Sequence, residues 1–173
     1  MIEVLHETQL TSSDEAQISD LLRASFPTDF DNRSYYQQRP HMRVIWRSGA
    51  IVAHVALFFR DIRLDHDLVT VAGIGDVACL PDYRHQGIAT RLFTHVIAQA
   101  EASQADFLLL FGARGLYDRA GFQSKKNSYV CVDMVGAKTS EIASRDANFL
   151  MVRALKDRQW PDGSKVDFLG PLF

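Results

Sequence analysis

The chain has little of what marks disulfide-stapled, metal-holding or membrane-spanning proteins. Its only cysteines, Cys79 and Cys131, lie far apart within apolar stretches and form no Cys-x-x-Cys pair, so a disulfide scaffold is excluded and reduced, buried thiols are expected. The six histidines show neither His-x-x-x-His nor Cys/His spacing, and no metal is predicted. No apolar run approaches the roughly eighteen residues that a membrane-spanning helix needs.

The chain also lacks a charge of one sign in excess. The formal net charge is −2, which argues against a nucleic-acid or anionic-membrane partner, because such partners favour a clustered basic surface. The first residues contain no basic stretch followed by a long apolar core, so a cytoplasmic location is the expectation. No repeat or linker is visible. The 173 residues therefore suit one domain, residues 1–173, as a monomer or homodimer.

Apolar periodicity predicts an α/β (α+β) chain. Helices are expected from a capping box at Ser12 and Glu15 to a stop before Pro27, over 87–102 and over 113–120. The predicted strands are 1–5, 42–46, 50–59, 68–79, 107–111, 129–134 and 148–155, with a hairpin turn at 48–49. The polar stretch 138–145 is predicted to be helical or irregular. The stretches 27–40 and 136–147 and the residues after Trp160 are candidates for determining specificity.

The stretch 74–93 organises the rest, because an apolar strand ends there and a glycine turn opens an amphipathic helix. Several backbone N–H groups at a helix start have no earlier carbonyl to bind, and the helix dipole adds positive charge, so phosphate is attracted. Gly87 allows close backbone approach, and Arg84 adds a cation. The candidate phosphate-binding residues are Arg84, His85, Gln86, Gly87, Ile88, Ala89 and Thr90. A strand, glycine turn and helix also occur where nothing binds.

A second segment sharpens the prediction. The strand 107–111 runs into Leu116-Tyr117-x-x-x-Gly121-Phe122. With the Arg-x-x-Gly-x-Ala turn at 84–89, this segment resembles the GNAT superfamily of N-acyltransferases. The resemblance implies a mixed, mostly antiparallel central sheet that is splayed at the fourth strand, with helices on both faces. It also implies that residues 84–89 hold the pyrophosphate of coenzyme A and that Tyr117 lies beside the thioester sulfur.

Two glycines, Gly73 and Gly75, interrupt the strand before the turn, and glycine within a strand often marks a bulge or a close backbone approach. In the superfamily that this chain resembles, a splay at this point opens the cleft for the pantetheine arm. The matching positions here are Val77, Ala78 and Cys79. The implied co-substrate is acetyl-CoA or another acyl-CoA, with no metal.

Two narrower likenesses concern the acceptor. Residues 39–45 and the stretch from Trp160 to Gly170 look like the nodulation acyltransferase A family, whereas Met42 to Phe122 is similar to the aminoglycoside 2′-N-acetyltransferases. Both relatives acylate an amine of an amino sugar, so a small-molecule primary amine is the implied acceptor. The nodulation likeness leaves acyl carrier protein open as the donor. A non-catalytic acyl-CoA-binding sensor or subunit is the alternative of a different class.

Amide formation from a thioester needs a neutral amine, a stabilised oxyanion and a proton for the departing thiolate. Backbone N–H groups near Val77 and Ala78 are candidates for the oxyanion site, and the phenol of Tyr117 is the candidate acid. Asp76 is the candidate base, directly or through water. A packed aromatic and a hydrogen-bonded structural aspartate are the plain alternatives for these two residues. His54, on an apolar strand, is predicted to be a hydrogen-bonded core histidine.

Overall fold

The computed structural model describes residues 1–28, 30–112, 115–135 and 137–173. The helices are α1 (Ser12–Ser25), α2 (Ile88–Glu101) and α3 (Gly115–Arg119), with short 3-10 helices at Glu7–Gln9 and Pro81–Tyr83. The strands are β1 (Ile2–His6), β2 (Met42–Ser48), β3 (Ala50–Leu64), β4 (Asp67–Cys79), β5 (Phe107–Phe111), β6 (Gln123–Lys125), β7 (Ser128–Val135), β8 (Lys138–Asp146), β9 (Leu150–Ala154) and β10 (Val166–Asp167).

One mixed sheet joins all ten of these strands in the order β6-β9-β5-β4-β3-β10-β7-β8, with β2 and then β1 added beside the first half of β3. The β4–β5 and β10–β7 pairs are parallel and the others are antiparallel, so the sheet is mixed and mostly antiparallel, as the resemblance implies. The hairpin turn between β2 and β3 uses Gly49 at φ 73°, a left-handed conformation that glycine adopts without strain. After this turn, the fifteen-residue β3 pairs with β4 along most of its length.

Helices cover both faces because adjacent strand residues point to opposite sides. On β2, Val44 packs in the core beneath α2, and its neighbour Ile45 packs in the core beneath α1. The α1 side chains in that second core are Ile18, Leu21 and Leu22. A third cluster, which includes Trp160 and Phe168, lies where the sheet curls between β3 and β7. No helix in the described ranges has the length and apolar character to cross a membrane.

Two expectations from the sequence need correction, and two strands were missed. The N-cap of α1 is Thr11, whose hydroxyl accepts the N–H of Asp14 at 3.1 Å, so the Ser12–Glu15 capping box is wrong by one residue. The stretch 138–145 is not helical or irregular; it is strand β8, which the pairing with β7 holds in place although its residues are almost all exposed. The short strands β6 and β10 contain no apolar run from which a strand could be predicted, so neither was predicted from the sequence.

Candidate active site

Strand β4 carries a bulge at its downstream end. Its ladder with β3 runs regularly to the pair Ala56–Gly75 and resumes at the pair His54–Ala78, so two residues on β4 oppose one on β3. Asp76, in the bulge, has φ 50°, an uncommon conformation for a residue other than glycine. The bulge therefore lies at Asp76.

The neighbouring strand leaves β4 at the same level. The β4–β5 ladder ends at the pair Ile74–Leu110, and after it the N–H of Gly112 bonds to the carbonyl of Phe149 beside β9. Because the Leu80 N–H bonds to Val52 on β3, alternation along the strand directs the N–H groups of residues 77 and 79 toward the side that β5 has left. By the same alternation, that of residue 78 points toward β3. The sheet is thus splayed after the bulge.

A buried histidine, His54, holds the main chain of the bulge through a hydrogen bond. His54 has no exposed surface; its Nδ1 lies 2.8 Å from the carbonyl oxygen of Asp76 and its Nε2 lies 3.2 Å from a guanidinium nitrogen of Arg43. Since a carbonyl only accepts and a guanidinium only donates, the ring must be neutral with its proton on Nδ1. Burial and then the charge of Arg43 lower the pKa of His54 to about 3, in agreement. The structure thus confirms a hydrogen-bonded core histidine.

Arg43 is fully buried as well, and its charge is matched there. Its guanidinium donates to the Glu7 carboxylate at 2.8 Å, to the Ser34 carbonyl at 2.7 Å and to the Ser34 hydroxyl at 3.2 Å. The Arg43 and Arg39 contacts hold the pKa of Glu7 below its ordinary value, against the opposing effect of burial. We call Glu7, Ser34, Arg43 and His54 the brace. Nothing in the strand pattern of β2 distinguishes Arg43 from a surface residue, so sequence reasoning missed it.

The carboxyl group of Asp76 lies in a largely desolvated place. Burial raises its pKa to about 6, although the charge of Arg43 and a hydrogen bond from the Tyr36 N–H act in the opposite direction. A carboxylate with a pKa near 6 is ionised at neutral pH and is a better proton acceptor than an ordinary aspartate. The bulge therefore presents one tuned carboxylate to the cleft.

The turn before α2 is open. Gly87 is the N-cap at φ 74°, and His85 is also left-handed at φ 61°. Within the described residues, no protein acceptor takes a hydrogen bond from the N–H groups of residues 85–90, and the first bond back into the turn comes from the Arg91 N–H to the Gly87 carbonyl. A Cβ added at Gly87 would meet nothing within 4 Å. This turn has room and donors for an anion.

The remaining residues of the turn hold its shape. The Arg84 Nε donates to the carbonyl of Cys79 at 3.0 Å, and the Gln86 amide donates to the carbonyl of Asp82 at 2.8 Å. Ile88 is buried in the core, whereas Thr90 is exposed beside it. The end of β4 and the start of α2 are thereby tied together.

Tyr117 lies on α3 with only 6% of its surface exposed. Its ring packs against Phe93 at 5.4 Å and Phe122 at 6.4 Å between centroids, and a Cβ at Gly112 would lie 2.7 Å from the ring. The same side chain lines a cavity of about 330 Å³ that also contacts Asp76. The structure thus brings Tyr117 and Asp76 to one cavity, at the splay between β4 and β5.

The two strand glycines have a reason that the sequence did not show. Neither has a positive φ, and the left-handed position in the bulge belongs to Asp76. A Cβ at Gly73 would lie 2.2 Å from the ring of Phe173, and one at Gly75 would lie 3.0 Å from the backbone of Phe173. The glycines make room for a segment almost one hundred residues later in the chain, which sequence reasoning could not see.

Of the three stretches predicted to determine specificity, two supply residues to the cavity and the described part of the third does not. From the stretch 27–40, Thr28, Phe30 and Tyr36 line the cavity. The residues after Trp160 supply Phe173. The described part of 136–147 supplies no lining residue, because β8 lies at the far edge of the sheet beyond β7. Residues 29, 113, 114 and 136 lie outside the described residues. Within the described part, no group of three or more His, Cys, Asp or Glu side chains is arranged to hold a metal.

Comparisons with known proteins show a family and a shared fold. A family model described as an acetyltransferase (GNAT) domain matches residues 8–124. A GNAT family acetyltransferase from Brucella melitensis, solved in complex with acetyl-CoA, is 18% identical, with a TM-score of 0.63 over 94% of this chain and 93% of that chain.

Two structures from Escherichia coli are also similar. A GNAT family N-acetyltransferase (YhbS), solved with CoA, is 18% identical, with a TM-score of 0.66 over 96% of this chain and 88% of that chain. The ribosomal-protein-S18-alanine N-acetyltransferase is 18% identical, with a TM-score of 0.58 over 92% of this chain and 97% of that chain. At such identities the likeness shows a shared fold.

Proposed function

The chain belongs to the GNAT acetyltransferase family, and from that premise we propose that it transfers an acetyl group from acetyl-CoA directly to the primary amine of a small molecule. The observation that carries the proposal is the alignment of three features along one strand. A turn with unpaired N–H groups follows β4, a splay opens beside its end, and a carboxylate and a phenol meet at the cavity within that splay.

The turn before α2 fits a diphosphate. Among the residues that the structure describes, none accepts a hydrogen bond from the N–H groups of residues 85–90, and Gly87 leaves the approach to these groups open. Arg84 and His85 are exposed at this point, so both can face a phosphate. Gln86 shapes the turn, and Ile88 anchors the helix start. Ala89 and Thr90 contribute their main-chain donors.

The pantetheine arm is proposed to lie along the open side of β4. There the N–H groups of Val77 and Cys79 have the direction of a strand that lacks its next neighbour. An amide of the arm can pair with the N–H of Cys79, and the N–H of Val77 is left for the thioester carbonyl. Ala78, which is buried on the α1 side, holds the strand against the core. The thioester end then reaches the cavity at Asp76 and Tyr117.

Each step of the reaction has a residue. Asp76 accepts a proton from the ammonium of the acceptor, directly or through water. The amine nitrogen then attacks the carbonyl carbon of the thioester, and the N–H of Val77 stabilises the oxyanion. When the intermediate collapses, the C–S bond breaks and the phenol of Tyr117 donates a proton to the coenzyme A thiolate. The attacking nitrogen sheds its second proton, which returns through water to the Tyr117 phenolate, so the product is a neutral amide.

The properties of the two cysteines favour direct transfer over a covalent acyl-cysteine intermediate. The thiol of Cys79 donates to the Leu80 carbonyl at 3.6 Å, and burial raises its pKa, so it is a poor nucleophile. The buried Cys131 lies on β7, outside the cavity lining. Neither cysteine suits a covalent acyl intermediate.

The test is thiol release from acetyl-CoA, corrected for hydrolysis, against a panel of primary amines. Tyr117→Phe is expected to lower kcat by about 100-fold or more while coenzyme A binding by calorimetry is unchanged. Tyr35→Phe is the matched control, because Tyr35 does not line the cavity and its phenol is not part of the proposed chemistry.

Three results would contradict the proposal in different ways. Tight coenzyme A binding with no turnover of any amine would indicate a sensor or subunit. Turnover only with an acylated carrier protein would replace the donor. Absence of any affinity for coenzyme A would remove the whole assignment.

A further inference from the structure

We infer that the acceptor is a primary amine with a single positive charge on an apolar body about the size of one aromatic ring, and that Phe173 sets the limit on that size. The inference rests on the proposed function and specifies its substrate class. It departs from the amino-sugar acceptor that the sequence likenesses suggest, because the walls of the cavity have the wrong chemistry for a sugar.

The cavity wall is mainly aromatic and aliphatic. Phe26, Phe30 and Tyr36 form one side, with ring centroids 5.5 Å apart between Phe26 and Phe30 and again between Phe30 and Tyr36. Phe111 contributes from the end of β5, and Phe173 contributes from the segment after β10. The ring planes are tilted by 43° and 55° to one another, and a wall of aromatic faces and edges accepts an apolar group and attracts a cation over a ring face.

Among the described lining residues, Asp76 is the one with a charged side chain. One carboxylate balances one ammonium. An aminoglycoside carries several ammonium groups, and each further charge would enter an apolar wall without a partner, which is costly. The lining therefore favours a monoamine.

Hydroxyl groups meet the same difficulty. Besides Asp76, the described lining side chains with a hydrogen-bonding oxygen are those of Thr28, Tyr36 and Tyr117, and we assign Tyr117 to the thiolate. A sugar ring has several hydroxyls, and each one buried without a partner lowers affinity by about tenfold or more. The cavity volume of about 330 Å³ lies at the small end of ligand sites, which span about 300–1,000 Å³.

The position of Phe173 is built by other residues. Gly73 and Gly75 supply the space, as their missing Cβ atoms show. The guanidinium carbon of Arg60 lies 4.6 Å from the centre of the Phe173 ring, and Arg60 also donates to the carbonyls of Phe168 (3.2 Å) and Pro171. Arg60 thus fixes the turn of chain that brings Phe173 to the cavity. A ring that lies against the Gly73 backbone and the Arg60 guanidinium acts as a wall of defined position.

The first experiment needs no variant. We compare kcat/KM with acetyl-CoA for 2-phenylethylamine, 2-cyclohexylethylamine, glucosamine and a tetra-amine aminoglycoside. The expected result is a preference of at least about 100-fold for the two apolar amines over glucosamine, from two or more unpaired hydroxyls. Equal or better turnover of the amino sugar or the aminoglycoside overturns the inference and leaves the acetyltransferase function standing.

Other outcomes are also decisive. No turnover of any amine, with coenzyme A bound, removes the proposed function and this inference together. A preference for hexanoyl-CoA over acetyl-CoA, with 2-phenylethylamine no better than methylamine, would mean that the apolar wall holds the acyl chain, and the inference would be wrong.

A variant tests the wall itself. Phe173→Ala is expected to raise kcat/KM for a two-ring amine such as tryptamine at least fivefold relative to 2-phenylethylamine. Phe149→Ala is the matched control, since the Phe149 side chain is exposed and does not line the cavity. The ratio of two amines is read within one variant, so partial loss of stability cancels. If the ratio changes equally in both variants, or in neither, Phe173 is not the limit.

Discussion

The two ends of the proposed site are built in opposite ways. Beneath Asp76, the brace leaves no polar atom of Arg43 or His54 without a partner, and both side chains are completely buried. At the turn before α2, a run of main-chain donors faces solvent with no protein partner among the described residues. In the first region every hydrogen-bonding group of Arg43 and His54 has a partner, whereas in the second region the main-chain donors are left without one in the described part of the chain.

The difference follows from what each end has to do. A proton acceptor must be held in one position and in one electrostatic setting, which takes a network completed before the substrate arrives. A phosphate site needs donors whose bonds are not already made. Substitutions in the brace should therefore cost stability, and substitutions in the turn should cost affinity.

The largest effect is expected for Arg43→Met. It removes the buried donor of the Ser34 carbonyl and one of the two arginines that bind the Glu7 carboxylate, with Arg39 remaining, so the free energy of unfolding should fall by about 3 kcal/mol. Urea denaturation measures it. Arg23→Met is the control, because Arg23 and Asp20 form an exposed pair whose loss should cost less than about 1 kcal/mol. Similar losses in the two variants would show that the brace is not special.

Asp76→Asn should act in the opposite direction on stability. The pKa of Asp76 rises on folding from 3.8 to about 6, so the folded protein binds the proton more tightly and loses stability as pH rises through that window. Asparagine avoids this loss. At pH 7.5 the variant should be more stable by on the order of 2–3 kcal/mol, and at pH 3.5 the difference should vanish. Asp157→Asn, at an exposed site, controls for the removal of one carboxylate, and urea denaturation at the two pH values measures both variants.

The same carboxyl group should shape the rate. We expect kcat/KM to fall below about pH 6, because Asp76 must be ionised to accept a proton. Asp76→Asn should reduce turnover by about 100-fold and abolish this acid limb. A limb that persists in the variant would assign the titration to another group.

Comparing Gly87→Ala with Gly163→Ala separates the cost in stability from the cost in coenzyme A affinity. Alanine at φ 74° is strained by about 1–2 kcal/mol, and the open space at this position adds no clash. The unfolding free energy should fall by about that amount, and calorimetry should show weaker coenzyme A binding. Gly163→Ala is the matched control, because Gly163 has φ 81° and equally open space away from the site. It should lose stability and keep its affinity.

The smallest effect is expected for Arg84→Gln. Arg84 is exposed, so its attraction for phosphate is screened by salt and should contribute about two- to fivefold in coenzyme A affinity at low ionic strength. The difference should disappear at high salt. Arg119→Gln, an exposed change on α3, serves as control. An effect that is independent of salt would point to a role in shaping the turn through the Cys79 carbonyl instead.

Local signals in the sequence were enough for the turn and for most of the sheet. The glycine at 87, the spacing of Ile88, Leu92 and Val96, and the hairpin turn at Gly49 each act over a few residues, and all appear where expected. The fold class and the acetyltransferase family were likewise predicted, from the two motifs at 84–89 and 116–122.

What escaped prediction depends on contacts between distant parts of the chain. Gly73 signalled close approach, yet the partner, Phe173, lies a hundred positions away. Arg43 alternates with apolar neighbours on β2 like any surface residue, and its burial requires Glu7 and Ser34 from elsewhere. Strand β8 is exposed on both faces, so it has no alternating pattern to detect. In each case the cause is tertiary and the local sequence is neutral.

Strand β3 has a consequence for how the molecule fluctuates. It pairs with β4 along most of its length, with β2 at one end and with β10 at the other, and most of its residues are buried. Its amide hydrogens should therefore exchange with deuterated solvent only when the whole domain opens, whereas those of residues 85–90 should exchange within seconds. Coenzyme A should slow the second group selectively, which gives a residue-by-residue map of the nucleotide without a crystal.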